Sequence, residues 1–186
     1  MKPTIINDFI PNHYNKGIND LIFRDASKFP WYYLPNISGW ENKFNVEDVK
    51  FVNNQSGFYH LLYSQGSQAS AMFQALLPFL GYVEDKFDVS INNLIRVRVG
   101  MNIHTGEEGS HYPHTDLDIP NKTLLYYLDE SDGNTIFYEQ KKDKLEVSLT
   151  NPHTQNQAVL FDGLTLHSSS SPVEYSKRTT ININFN

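Results

Sequence analysis

The sequence predicts a mainly β fold with flanking helices, an antiparallel sandwich or barrel carrying a helical layer on one sheet. Two features point there. After residue 90 the chain breaks into six short strand-like runs separated by turn signals, the spacing expected of an all-β sandwich or barrel. Before residue 90 the apolar residues recur at helical spacing instead. No stretch rich in Pro, Gly or Ser marks a linker, so residues 1–186 are expected to form one domain. Residues 1–90 would be a helical and mixed support, and 91–186 the core that carries the chemistry.

Taken in order, the spacing of Ile18, Leu21 and Ile22 predicts a helix over Tyr14–Ala26. Residues 31–47 (WYYLPNISGWENKFNVE) carry Pro and Gly breaks, and read as loop with short strands. Ser56–Ser64 reads as a strand. From Ser67 onward Ala69, Met72, Phe73, Leu76, Leu77 and Leu80 keep helical spacing; Gly81 is the expected stop, and Pro78 should bend or split the helix. The predicted strands are 94–103, 122–129, 134–140, 144–150, 157–163 and 178–185. SDGN at 131–134 is read as a hairpin turn and NPHTQN at 151–156 as a loop.

Composition narrows the function. Fifteen Lys and Arg against 21 Asp and Glu leave a net charge of −6, with no dense basic block, which disfavours a nucleic-acid surface. With no cysteine in the chain, disulfides, thiolate metal sites and cysteine-held clusters are excluded. The first residues lack the apolar core of a signal peptide, and no run approaches the roughly 18 apolar residues of a membrane span. A soluble, cytoplasmic protein without a membrane partner is the expectation; oligomeric state is left open.

The densest cluster of metal-ligand types is SHYPHTDLD at 110–118. In extended chain, residues two apart share a face, so His114 and Asp116 can converge on one point while His111 and His114 oppose each other. Asp116 and Asp118 also share a face, and His111 and Asp118 are assigned to the rim. An H-x-D pair is weak evidence alone. His167, closing the apolar run AVLFDGLTLH, supplies a candidate third ligand; a histidine bonded to a backbone carbonyl is the alternative. Two imidazoles and a carboxylate on one face leave octahedral positions open, the pattern of non-haem Fe(II) oxygenases. Eleven residues on, Arg178 opens the strand RTTININF, with Thr180, Asn182 and Asn184 on its face and Thr179, Ile181, Ile183 and Phe185 on the other. A buried arginine there requires an anion, which the far carboxylate of a metal-chelating keto dicarboxylate can supply. Alternatively the strand is an edge and Arg178 lies in solvent.

PHTD, TLLYYLDESDGNTIFYE and AVLFDGLTLHSSSSPVEYSKR followed by ININF resemble the Fe(II)/2-oxoglutarate-dependent dioxygenases. Within these the chain looks most like the prolyl 4-hydroxylase-like branch, in its short marine phage and bacterial form. The resemblance spans about Ile95 to Phe185. It implies a double-stranded β-helix (jelly-roll, cupin-like) core, with His114, Asp116 and His167 as iron ligands and Arg178 as the partner of the 2-oxoglutarate C5 carboxylate. It makes Tyr126 a candidate cosubstrate contact, or else an ordinary core tyrosine, and Thr180 a further one in an Arg-x-Thr pattern. Asn102 is a weaker candidate for the metal-proximal carboxylate; Arg96 and Arg98, on the same strand face, would meet substrate or solvent. Implied cofactors are Fe(II) and 2-oxoglutarate, with ascorbate as an optional reductant. Two departures stand out: Val99 and Gly100 occupy positions where prolyl hydroxylases usually carry a tyrosine after the strand arginine, and the following loop to His114 is longer. Collagen-type relatives also often use lysine at the Arg178 position.

The implied reaction hydroxylates a substrate C–H while 2-oxoglutarate and O2 become succinate and CO2. By resemblance the substrate is a prolyl residue of a peptide or protein, or a small amino-acid-like molecule; a nucleobase is disfavoured by the charge. Rival readings are a zinc-dependent hydrolase on a jelly roll, which leaves Arg178 unexplained, and a non-catalytic jelly-roll binding module. A cupin-type isomerase would want an H-x-H and a Glu, which PHTD lacks.

Overall fold

In the computed structural model, which describes residues 2–24, 28–39, 43–142 and 144–186, the chain winds back and forth between two antiparallel sheets. In chain order the elements are β1 (Thr4–Ile6), α1 (Asn12–Phe23), β2 (Tyr32–Leu34), β3 (Gly57–Ser64) and β4 (Ser67–Gln68). A 3-10 turn over Ala71–Leu76 then runs into α2 (Leu77–Phe87). The remaining strands are β5 (Leu94–Ile103), β6 (Lys122–Tyr127), β7 (Thr135–Lys141), β8 (Lys144–Asn151), β9 (Gln157–Asp162), β10 (His167–Ser169) and β11 (Lys177–Phe185). The major sheet has the order β1-β9-β6-β11-β5-β3-β2, with β4 beside β3; the minor sheet is β10-β7-β8. Bridges pairing Ser110 with Ser170 and His114 with His167 extend the minor sheet by one irregular strand. This alternation between sheets is a double-stranded β-helix, or jelly roll, with its helices on one face.

Strand parity divides the interior into two layers. On the helix side, Ile181 and Ile183 of β11, Val97 and Val99 of β5, Leu124 and Tyr126 of β6 and Leu160 of β9 meet Ile18 and Ile22 of α1 and Phe79 and Val83 of α2. On the other side, Leu125, Tyr127, Phe137, Val159 and Phe161 form a smaller cluster between the sheets. Burying each such large side chain contributes about 1.5–3 kcal/mol, so the helix-side layer supplies most of the hydrophobic stabilisation. The inter-sheet layer is the more polar one. Arg178 stands opposite Asn102, Thr180 opposite Gly100 and Tyr127, Asn182 opposite Arg98 and Leu125, and Asn184 opposite Arg96 and Thr123. β11 is therefore a central strand, and the edge-strand alternative for Arg178 is excluded.

Most predicted strands recur within two residues of their expected ends; the departures have local causes. α1 starts at Asn12, and the expected end of that helix at Ala26 lies outside the described residues. Ile18 and Ile22 face the core, whereas Leu21 is largely exposed. Pro78 does split its segment, sitting in the first turn of α2, where a missing N–H costs nothing. Gly81 is not the stop. The helix runs on to Phe87 because Tyr82 and Val83 continue the apolar face, and Asp88 closes it in a left-handed conformation (φ 51°). SDGN is not a hairpin turn either: β6 and β7 lie in different sheets, and Asp132 instead accepts backbone N–H bonds from Val173, Glu174 and Tyr175. Among the described residues no helix is long and apolar enough to cross a membrane.

Candidate metal centre and its cavity

The mouth between the sheets holds three ligand-type side chains. Ligand atoms of His114, Asp116 and His167 all lie within 4.8 Å of one another, close enough to share one ion. Their backbone placement follows from pairing. His114 and His167 exchange both backbone hydrogen bonds (2.9 and 3.0 Å) across the added strand of the minor sheet. The imidazoles therefore stand side by side, with centroids 4.9 Å apart. Asp116, two residues on, turns toward the same point.

Each histidine is held in the tautomer a metal needs. His114 Nδ1 faces Tyr112 O at 3.0 Å, and His167 Nδ1 faces Thr165 O at 3.0 Å. A carbonyl only accepts, so each Nδ1 carries a proton and each Nε2 is the nitrogen turned to the metal position. Burial pushes the His114 pKa down to about 4, helped by neighbouring His167, so this ring is neutral near pH 7. Phe161 and Phe137 wall in His167, the former with its ring centroid 4.9 Å away.

Asp116 is the most heavily contacted of the three, and its side chain is 1% exposed. Its Oδ1 accepts from Arg98 Nη2 at 3.0 Å, and Oδ2 accepts from Asn182 Nδ2 at 2.7 Å. Arg96 Nη2 lies 3.2 Å from Oδ1, near enough to attract but off-line for a hydrogen bond. Burial acts to raise the Asp116 pKa; Arg98, His167 and Arg96 together outweigh it and hold the carboxyl well below the usual range. His167 Nε2 is 3.7 Å from Oδ2, leaving a gap at the convergence point rather than a hydrogen bond. Two imidazoles and one ionised carboxylate match a borderline divalent ion such as Fe(II) or Zn(II).

The same cavity, about 600 Å³ measured out to its mouth, is lined by Arg98, Asn102, Thr180, Asn182 and, at the opposite end, Arg178. Arg178 is 5% exposed. Its Nε donates to Gly133 O at 2.8 Å and its Nη2 to Thr135 Oγ1 at 2.7 Å, and the guanidinium lies 5.5 Å from the Tyr127 ring centre. Burial lowers its pKa, with Tyr127 and Asp129 opposing, but an arginine remains charged. Among the described residues no carboxylate comes within ion-pair distance of it, and Asp129 is already engaged by Lys177 at 2.6 Å. A buried cation without an anion is costly, so this end of the cavity fits an anionic ligand. Asn102 Nδ2 donates to Ser169 Oγ at 2.9 Å beside it.

Of the residues singled out from the sequence, Tyr126 is misplaced. It pairs with Ile181, faces the helices and is fully buried, with its hydroxyl donating to Asn15 Oδ1 and Asn156 Oδ1. The tyrosine on the cavity side is Tyr127, which pairs with Thr180 and donates to Thr135 Oγ1 at 2.7 Å. Knowing that Thr180 and the cavity share a face would have selected it by parity. His111 is not at the rim: it is buried, with Nδ1 against Ser169 O at 2.9 Å. Asp118 is exposed, as expected of the rim. Asn182 enters the site with no signal beyond the polar row of β11, and Thr135 of β7 and Gly133 just before it with none.

No family model matches the sequence, and no curated protein does either. Solved structures do match in shape. An oxidoreductase of the 2OG-Fe(II) oxygenase family from Burkholderia pseudomallei aligns with TM-score 0.70 at 9% identity, covering 99% of this chain and 84% of its own. A Trichoplax adhaerens prolyl hydroxylase, solved with a hypoxia inducible factor peptide fragment, aligns at 0.66 and 13% identity, covering 98% and 82%. The epimerase SnoN of nogalamycin biosynthesis, described as non-haem and alpha-ketoglutarate-dependent, aligns at 0.67 and 11% identity, covering 99% and 77%. The chain thus has the double-stranded β-helix fold of 2-oxoglutarate oxygenases and prolyl hydroxylases.

Proposed function

We propose that the protein is an Fe(II)- and 2-oxoglutarate-dependent oxygenase that hydroxylates a substrate C–H, with a prolyl residue or a small amino-acid-like molecule as substrate. One observation carries the reading: a His-Asp-His cluster and a buried arginine with no carboxylate partner occupy opposite ends of a single cavity. His114, Asp116 and His167 would hold the metal. Arg178 would take the far carboxylate of the keto acid, in the fork geometry that its bonds to Gly133 and Thr135 already impose. When bound, iron and the keto acid would together activate O2, which is the oxidant, with decarboxylation of the keto acid to succinate and CO2 supplying two of its four electrons and the substrate C–H the other two. The chain's own residues bind, orient and exclude water. Thr180, Asn102 and Leu125 line the cavity between metal and Arg178, and Phe161 and Phe137 back His167 from the apolar cluster behind it. Among the described residues Asp116 is the only carboxylate lining the cavity, and it already accepts two hydrogen bonds. A zinc hydrolase would therefore lack a second carboxylate as general base, and would leave Arg178 without a role.

Mixing the protein anaerobically with Fe(II) and 2-oxoglutarate tests this reading. The expected result is a weak visible charge-transfer band as the keto acid chelates the metal, lost in His167→Ala. A protein that binds the metal yet gives no band with 2-oxoglutarate is not such an enzyme. Succinate release on adding O2, screened over peptides and free amino acids, then finds the substrate.

A further inference from the structure

Resting on the oxygenase reading, we propose that the substrate is a small amphipathic organic acid whose carboxylate is received by Arg98 on the cavity wall, rather than an internal residue of a neutral peptide. Arg98 lines the cavity with its side chain 25% exposed, and among the described residues only its Nη2, of five N–H donors, has a protein hydrogen bond, to Asp116 Oδ1. That oxygen is shared: Arg96, two residues earlier on the same strand face, lies 3.2 Å from it. Two guanidinium groups therefore stand against one carboxylate. Counting Arg178, three cations face a single anion among the described residues of the site, a surplus of two positive charges. A divalent metal and a doubly charged keto acid cancel each other and leave that surplus in place. An anionic substrate reduces it; an internal peptide residue does not.

The neighbouring surface describes the rest of the ligand. Gly100, the next residue on the Arg98 face, carries no side chain, and a Cβ there would meet nothing closer than Thr180 Oγ1 at 3.7 Å, so space remains beside the guanidinium. Asn182 spends its Nδ2 on Asp116, and its buried Oδ1 has no partner. The adjoining wall, from β3, β2 and the residues after it, is apolar, with Leu34, Ile37, Phe58 and Tyr59. It continues outward to Tyr33, which is 61% exposed and packs edge-on against Phe58 at 5.8 Å. A ligand with an acid head and an apolar body matches the Arg98 guanidinium and this wall.

The test uses N-acetyl-leucine, N-acetyl-phenylalanine and N-acetyl-methionine, each as free acid and as primary amide, titrated into the anaerobic Fe(II)–2-oxoglutarate protein. Binding is read by calorimetry and by the shift of the charge-transfer band. At least one acid is expected to bind tenfold or more tightly than its amide. Arg98→Lys should keep most of that preference and Arg98→Gln should lose it, each variant's own band reporting that the site survives. Equal binding of acid and amide in all three pairs overturns the proposal, as does a preference that persists in Arg98→Gln. Absence of the band in the unmodified protein is a separate outcome, which overturns the oxygenase reading itself.

Discussion

At Arg178 the proposed function makes a single side chain decide whether the cavity accepts a dicarboxylate. Its two protein bonds go to a carbonyl and a hydroxyl, neither of which carries charge, so the ion pair is left for a ligand. Truncating one partner of a buried, hydrogen-bonded charge pair costs about 2–5 kcal/mol. Arg178→Ala should accordingly weaken 2-oxoglutarate binding by about 30-fold or more, while Fe(II) uptake by His114, Asp116 and His167 stays within about threefold. Titrating the charge-transfer band with 2-oxoglutarate measures the first, and metal analysis after desalting the second. Unchanged keto acid affinity would remove Arg178 from the site. Gly133 gives a subtler probe of the same contact. A Cβ there would come within 2.8 Å of Arg178 Cδ and 2.8 Å of Ser170 O, so Gly133→Ala must displace the arginine or its own loop. Overpacking of this kind costs about 1–3 kcal/mol of stability. The predicted signature is a fall of several-fold in 2-oxoglutarate affinity, with the metal-binding constant unmoved in the same titrations.

Single elements show where local sequence rules suffice and where they fail. β5 and β11 were legible because clean alternation over nine or ten residues leaves one assignment of faces, and that assignment located Arg178, Thr180 and Asn182 together. β10 was not legible: three residues, two of them serine, carry no period. The SDGN turn misled because turn chemistry is local, whereas the sheet that a following strand joins is set by long-range pairing. Tyr126 and Tyr127 were indistinguishable while both lay in an uninterrupted apolar run, since a strand buried on both faces hides its parity. Phe79 of α2 and Phe161 of β9, each fully buried, belong to opposite layers and separate stability from chemistry. Phe→Ala at either position should cost about 3–5 kcal/mol, measured by urea unfolding. Only Phe161→Ala removes a wall of His167, so it alone should weaken metal binding in the fraction that remains folded. Equal metal loss in both variants would show that the layers are not energetically separate.

Across the whole molecule, the polar layer ties stability to pH. Burial pushes His111, His114 and His153 each down to about 4, while an unfolded chain titrates its histidines near 6.5. Between those values the unfolded state binds more protons than the folded one, so stability rises with pH there. It is fully present above about 6.5 and is lost as pH falls toward about 4, each histidine accounting for up to roughly 3 kcal/mol. Asp116 and Asp129 have lowered folded values and act in the same direction at more acid pH, their contribution intact above the ordinary carboxylate range and declining below it. Summed over three rings, the histidine contribution is comparable with the roughly 5–15 kcal/mol that holds a typical domain together. The metal-free protein should therefore show urea midpoints that drop steeply from pH 7 to pH 5. His153→Gln should flatten that slope by about a third, because its ring stacks on Tyr127 4.3 Å away and lies outside the metal cluster. A midpoint that stays level across this range would mean the rings are hydrated and protonate freely. The same window governs metal loading, since protonating His114 both destabilises the fold and removes a ligand. Metal release and unfolding on acidification are thus expected to overlap, and saturating Fe(II) under anaerobic conditions should shift the unfolding midpoint to lower pH.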